Sequence, residues 1–204
     1  MVSTFTRLTT KDRESLMASA FSHAVAAMSI GTCFYRPQIS KGVWVAGTLC
    51  SVIPDLDVIG FRFGFRYGDF WGHRGFTHSL VFAAFLAGVV AVVLFRHRAS
   101  GIGRFAMFAY LFLATASHGV LDAMTNGGLG VAFLSPFDNR RYFLPWRPIL
   151  VSPIGVTGFF TPRGFAILQS ELLWIWVPAM LFGSVVLMVR RTGRPDEVRA
   201  NTNK

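Results

Sequence analysis

Long uncharged apolar runs constrain this chain more than any other feature of its sequence. Ser79–Phe95 and Leu172–Val189 contain no Asp, Glu, Lys or Arg, and three further segments are apolar over most of their length. A helix that spans a membrane needs about 20 predominantly apolar residues. The runs therefore predict five membrane helices, at residues 15–35, 42–60, 76–95, 103–124 and 167–189.

The composition supports the same fold class. Hydrophobic residues make up 52% of the 204 residues and charged residues only 15%, whereas a soluble domain carries about 25% charged residues. So few charges argue against a soluble enzyme, and so much apolar sequence excludes a disordered chain. We expect an all-α, polytopic membrane bundle: an N-terminal polar segment at 1–14, one membrane-embedded domain at 15–189 and a basic tail at 190–204.

The net charge of +10 does not indicate nucleic-acid binding. The basic residues lie between the apolar runs and in the C-terminal tail, where they are typical of membrane anchors and topology signals. We expect the bilayer, and not a nucleic acid, as the partner of these charges. The pattern does not predict an oligomeric state.

Ionisable residues beside membrane helices need a reason, and here they follow a pattern. If the five helices alternate in direction, all of these residues lie at one membrane face, because each stands at the start of an odd-numbered helix or the end of an even-numbered one. The pattern predicts a single polar site at one mouth of the bundle. Its members are His23, Asp55, Asp57, His73, His78, His118, Asp122 and Glu171.

The spacing of these residues favours metal binding, although each motif alone has another explanation. His118 and Asp122 are four residues apart and share one face of a helix. Pro54-Asp-Leu-Asp57 places two carboxylates at a helix end, where they could also form a cap or turn. Between His73 and His78, a glycine permits a sharp turn, and Thr77 or Ser79 could cap the next helix. Imidazoles mixed with carboxylates suit Zn²⁺, Mn²⁺ or iron better than Ca²⁺.

The order of these motifs resembles the YdjM-type family of bacterial inner-membrane metal-dependent hydrolases. Four elements carry the resemblance: His23, PDLD at 54–57, HRGFTHS at 73–79 and HGVLD at 118–122. The similarity extends through the segment 135–155. That family is distantly similar to the all-helical zinc-dependent phospholipase C and single-strand nuclease superfamily. The resemblance implies an inner-membrane location and bound metal, most simply Zn²⁺. We expect one or two ions, because no histidine follows His118 to supply further ligands. It implies these metal ligands: His23, Asp55, His78, His118 and Asp122.

The resemblance also implies hydrolysis of a phosphoester, on a lipid or a lipid-linked substrate since the site lies at the bilayer surface. A metal-bound water would be the nucleophile, and Asp55 or Asp57 could orient it or take its proton. His73 matches a motif position of the family and joins the predicted catalytic set. Three arginines could neutralise the phosphoryl group or contact lipid headgroups: Arg74 in the histidine motif, and Arg140 and Arg141.

Two other functions fit the same residues. Intramembrane histidines and aspartates also line metal or proton pathways in transporters, although these residues gather at one face. A closed metal site that only holds helices together would make the protein a non-catalytic scaffold. The proline- and aromatic-rich segment 125–163 is too long for a simple connector, and we expect it to lie over the polar site.

Overall fold

The computed structural model describes residues 16–17, 19–34, 41–95, 101–153 and 161–192. Within these ranges the chain is mainly helical and has one short antiparallel pair, formed by β1 (Leu16–Met17) and β2 (Ser152–Pro153). The helices are α1 (Ala20–Phe34), α2 (Lys41–Cys50), a 3₁₀ helix (Ile53–Phe63), α3 (Leu80–Phe95), α4 (Gly101–Ala123), α5 (Pro162–Glu171) and, after a π-helical turn at Leu172–Trp176, α6 (Val177–Thr192). The predicted all-α bundle of about five apolar helices is confirmed.

Among the described residues, three of the apolar helical stretches have the length of a membrane span. Three helical stretches of the described chain have the length and apolarity of a span: Lys41–Phe63, Gly103–Ala123 and Pro162–Thr192. The other two apolar helices, α1 and α3, are described over 15 and 16 residues. At 1.5 Å per residue they cover about 22–24 Å, less than the roughly 30 Å of a hydrocarbon core.

Small residues let the helices of the core approach closely. Helix α4 packs against α1, α2 and α3, and α1 also contacts α6. Gly47 on α2 faces the ring of Tyr110 on α4 so tightly that a Cβ atom there would come within 2.3 Å of it. Close approach through glycine and alanine is typical of helix packing in membranes. The buried core is Ala27, Val43, Ala46, Cys50, Ala87, Met107, Tyr110, Leu111 and Ala114.

The second predicted membrane helix changes its geometry halfway. It continues past Cys50 into an 11-residue 3₁₀ helix with Pro54 in its first turn, although 3₁₀ runs longer than three or four residues are uncommon. With three residues per turn, Asp55 and Asp57 point in directions about 120° apart. The carboxylates of one short motif therefore reach two different sets of partners.

The turn before α3 follows the sequence prediction only in part. The Ser79 hydroxyl accepts a hydrogen bond from the Phe82 N–H at 3.0 Å and so caps α3. The left-handed residue of the turn is Arg74 (φ 63°) and not the glycine. Gly75 is required for space, because a Cβ atom there would lie 2.4 Å from the Phe70 carbonyl oxygen.

Candidate metal centre

Four potential ligand atoms from three separate segments converge at one end of the bundle. Oδ1 of Asp55, Nε2 of His78, Nε2 of His118 and Oδ2 of Asp122 lie within 4.8 Å of one another, and we call these four residues the central cluster. The two Nε2 atoms are 3.0 Å apart. Oδ1 of Asp55 lies 3.3 Å from Nε2 of His118, and Oδ2 of Asp122 lies 3.3 Å from Nε2 of His78.

The folding of each segment explains why these residues meet. Asp55 stands in the first turn of the 3₁₀ helix, His78 ends the short 3₁₀ turn that leads into α3, and His118 and Asp122 occupy the last two turns of α4. Each segment reaches the same end of the bundle. The alternating arrangement expected from sequence therefore brings the side chains together, and all four are buried.

Hydrogen bonds on the far side of each imidazole orient the two histidines of the central cluster. Nδ1 of His118 donates to the Ser51 carbonyl oxygen at 2.7 Å. Nδ1 of His78 lies 3.2 Å from Oδ2 of Asp57 and 3.1 Å from the Thr77 hydroxyl. A proton held on Nδ1 leaves the Nε2 lone pair directed at the cluster, which is how second contacts fix the tautomer of metal-binding histidines.

Asp57 holds the histidine motif together and does not join the central cluster. Its Oδ1 accepts from Nδ1 of His73 at 2.7 Å, and its Oδ2 accepts from the Thr77 hydroxyl at 2.6 Å. Asp57, His73 and His78 form a second group with metal-ligand spacing. Because the Nδ1 atoms of both histidines face this carboxylate directly, the contacts favour a positioning role for Asp57. Nε2 of His73 is buried without a hydrogen-bond partner.

His23 lies against the central cluster and is not one of its four members. Its ring stacks on the ring of His118 with centroids 3.7 Å apart, and its Nε2 lies 3.9 Å from Oδ1 of Asp122. Both ring nitrogens are buried, and neither has a hydrogen-bond partner. The imidazole is therefore next to the site with unused ligand atoms.

The structure places Arg74 in contact with a candidate ligand. Its side chain is fully buried, with Nε 3.2 Å from Oδ2 and NH2 3.2 Å from Oδ1 of Asp122. Its NH1 donates to the Thr125 hydroxyl and the Gly127 carbonyl oxygen. This guanidinium has its hydrogen bonds inside the protein, so neutralising a substrate phosphoryl group would require them to break.

The two arginines of the following loop differ from each other. Arg140 is exposed and pairs with Asp138; hydrogen bonds from Arg140 hold the pKa of Asp138 down at about 2. Arg141 donates to the carbonyl oxygens of His73, Tyr67 and Asp69. Burial lowers the pKa of Arg141 and raises the pKa of Tyr67 to about 12. Arg141 thus stabilises the backbone of the histidine motif through its hydrogen bond to the His73 carbonyl oxygen.

The described part of the segment 125–163 packs against the site-bearing end. The N–H of Ala132 donates to the Arg74 carbonyl oxygen, and the N–H of Leu144 donates to that of Ala123. Residues 154–160 lie outside the described part of the chain. The contacts place the segment beside the central cluster, and its role as a cover stays a prediction.

Several contacts of the site had no clear signal in the sequence. The Ser51 carbonyl could not be recognised, because every residue carries such a group. The sequence indicates Thr77 only as a possible helix cap, whereas its hydroxyl donates a hydrogen bond to Asp57. Glu171, a candidate member of the site, binds Ser19 and Ser22 at the start of α1 and none of the central cluster.

Comparisons with known proteins agree with the membrane fold. A family model described as the YdjM inner membrane protein matches residues 17–193. The chain is also 38% identical to the inner membrane protein YbcI of Escherichia coli (strain K12) over 175 residues, which cover 86% of this chain and 100% of that protein. No solved structure matches.

Proposed function

We propose that this chain, which belongs to the YdjM inner membrane protein family, is a membrane-bound, metal-dependent hydrolase. Its substrate would be a phosphoester of a lipid or of a lipid-linked molecule. The observation that carries the proposal is the convergence of four buried donor atoms in the central cluster. The inner-membrane setting is supported separately, by the family and by the three candidate spans.

The donor atoms of the central cluster fit a divalent ion such as Zn²⁺. Two ligands of a tetrahedral Zn²⁺ ion stand about 3.3 Å apart, and the separations measured here run from 3.0 to 3.8 Å. Both oxygens of Asp55 are buried without a hydrogen-bond partner, which is costly for a carboxylate unless a cation lies beside it. Mn²⁺ and iron accept the same ligand types.

We assign one ion to the central cluster, with Asp55, His78 and His118 as its ligands. A bound ion of this kind supplies Lewis-acid chemistry and a hydroxide near neutral pH. Arg74 contacts both oxygens of Asp122, which leaves three other protein donors, the ligand number of catalytic zinc sites. Asp55 is the carboxylate among these three ligands, and its side chain is 9% exposed although both oxygens are buried, so we assign Asp55 the proton-accepting role.

The surface around Asp55 supports a lipid-like substrate. The same 3₁₀ helix exposes Leu56, Ile59 and Phe63 on its outer side, so exposed apolar side chains stand on the helix that carries Asp55. An acyl or polyprenyl chain would bury that apolar surface. Arg140, whose side chain is 80% exposed, is the arginine of the loop that remains accessible to a phosphate.

The test measures metal content and phosphodiester hydrolysis of the purified, detergent-solubilised protein. We expect about one bound ion per chain and activity on bis-p-nitrophenyl phosphate or a short-chain phospholipid. Both should be lost in His78→Ala and His118→Ala, because each removes a ligand of the cluster. Gln169→Ala, which changes an exposed residue of α5, is the control. Unchanged metal content and activity in the two histidine variants would contradict the proposal.

A metal-stabilised scaffold is the second candidate, because the donors of the central cluster are nearly closed to solvent. The side chains of His78, His118 and Asp122 have no exposed surface, and structural zinc sites are closed in this way. Removing a metal present at 100 times its Kd would cost about 2.7 kcal/mol of stability under either function. A lower Tm after chelation, without hydrolysis of any phosphoester tested, would favour the scaffold.

A further inference from the structure

We propose that Glu171 is a positioning residue that holds His23 against the central cluster. This inference rests on the proposed metal-dependent function. It assigns a role at the site to Glu171, which ends α5 within the candidate span Pro162–Thr192. By this inference His23 contributes to metal binding at the central cluster, and Glu171 fixes its position through the first turn of α1. The argument depends on the contacts of Glu171, on how His23 is fixed and on the turn that follows Glu171.

Glu171 is fully buried and its carboxylate is directed at the N-terminus of α1. Oε1 accepts the backbone N–H of Ser19 at 2.7 Å. Oε2 accepts the hydroxyl of Ser22 at 2.8 Å and also the hydroxyl of Ser19. Within the described chain no cation pairs with this carboxylate, so the N–H groups and positive dipole end of α1 supply its stabilisation.

These contacts determine where His23 lies. Ser22 directly precedes His23, and the N–H groups of both residues donate to the Ser19 carbonyl oxygen, at 2.9 and 3.3 Å. No hydrogen bond holds the His23 ring itself. Its place therefore depends on the backbone of this first turn and on stacking with His118.

The helix geometry after Glu171 secures the same turn of α1. Leu172–Trp176 is π-helical, and the N–H of Val177 donates to the Leu172 carbonyl oxygen. Trp176 then donates its Nε1–H to the Ser22 hydroxyl at 2.9 Å. Single π turns are frequent at functional sites. Both ends of this turn therefore hold Ser22, the residue beside His23.

The experiment compares Zn²⁺ affinity, measured by competition with a chelating dye, in Glu171→Gln, His23→Ala and the double variant. Glutamine keeps the size of the side chain but presents an N–H group where Oε1 or Oε2 accepts a hydrogen bond. We expect each single variant to bind Zn²⁺ about 10–100-fold more weakly, as for the loss of outer contacts at other metal sites. The double variant should be no weaker than His23→Ala, because Glu171 acts through His23.

A second measurement separates positioning from a general loss of stability. With Co²⁺ in place of Zn²⁺, the visible absorption spectrum reports the ligand arrangement, and Glu171→Gln should shift it in the same direction as His23→Ala. Trp176→Phe, which keeps an aromatic ring but removes the N–H bond to Ser22, should give a smaller shift. Gln169→Ala, an exposed residue of the same helix, is the matched control.

The outcomes distinguish this inference from the proposed function. If the unaltered chain binds neither ion, the proposed function fails and this inference fails with it. If the unaltered chain binds metal, and Glu171→Gln retains its affinity and Co²⁺ spectrum, only the positioning role is overturned. Additive losses of affinity in the double variant would also overturn it.

Discussion

Asp57 illustrates how a residue can control the site without joining the four converging donors. Its carboxylate accepts hydrogen bonds from Nδ1 of His73 and from the Thr77 hydroxyl. It also lies beside Nδ1 of His78. The contact with His78 directs the opposite nitrogen, Nε2, into the central cluster. The resemblance implied Asp55 as a metal ligand and Asp57 only as a residue that could orient a water or take its proton, so the contacts of Asp57 with the histidines were not predicted.

Replacing Asp57 by asparagine should weaken Zn²⁺ binding about 10–100-fold, the usual effect of losing an orienting carboxylate. The four members of the central cluster stay in place, but an amide N–H replaces one of the two oxygens that hold the histidine motif. Dye competition gives the affinity, with Asp138→Asn as the surface control. An affinity equal to that of the unaltered chain would show that His78 needs no help from Asp57.

The convergence of four of the candidate residues could be predicted from sequence, and their individual contacts could not. The motif and helix-end positions predicted that His78, His118, Asp55 and Asp122 would meet, and the structure brings them together. The partner of Arg74 could not be predicted, because an arginine in a motif is equally suited to a phosphate or to a buried carboxylate. The fold pairs it with Asp122.

At the scale of elements, apolar runs located the helices but not their internal geometry. The predicted range 103–124 corresponds to α4, Gly101–Ala123. The range 42–60 contains α2 and most of a long 3₁₀ helix, and the range 167–189 contains the π turn. Apolarity does not report such changes, because it depends on side-chain composition, whereas the three helix types differ in hydrogen-bond spacing and in residues per turn.

The packing of α2 on α4 predicts a different effect for two glycines. Gly47→Ala would place a Cβ atom 2.3 Å from the buried Tyr110 ring, and overpacking of this kind costs about 1–3 kcal/mol. Gly88→Ala on α3 is the matched control, because its Cβ atom would meet its nearest neighbour, Phe108, only at 4.0 Å. It should be neutral or stabilising by up to about 1 kcal/mol.

Thermal or denaturant unfolding in detergent measures both glycine variants. A lower Tm for Gly47→Ala with an unchanged or higher Tm for Gly88→Ala is the expected result. Equal effects would show that the close approach of α2 and α4 is not maintained in the folded protein.

At the scale of the whole molecule, the metal-ligand candidates collect at one end and apolar side chains cover much of the outside. Exposed apolar residues continue along α6 to Met188 and Val189, a surface suited to lipid. The sequence predicted the single polar end from alternating helix direction. Within the described residues three helical stretches reach spanning length, and α1 and α3 are described over 15 and 16 residues.

Labelling with a membrane-impermeant maleimide tests whether the bundle crosses the bilayer with its site at one face. In a Cys33→Ala, Cys50→Ala background, single cysteines replace Phe137 and Thr192. Phe137 is 87% exposed in the loop at the site-bearing end, and Thr192 ends the 31-residue candidate span Pro162–Thr192. A helix of that length reaches about 46 Å, enough to separate its ends across a bilayer.

The two cysteines should therefore react from opposite sides, one in intact spheroplasts and the other only in inverted vesicles. Reaction of both from the same side would contradict a transmembrane path for α6, and the side on which Phe137→Cys reacts is the side that carries the metal-ligand cluster.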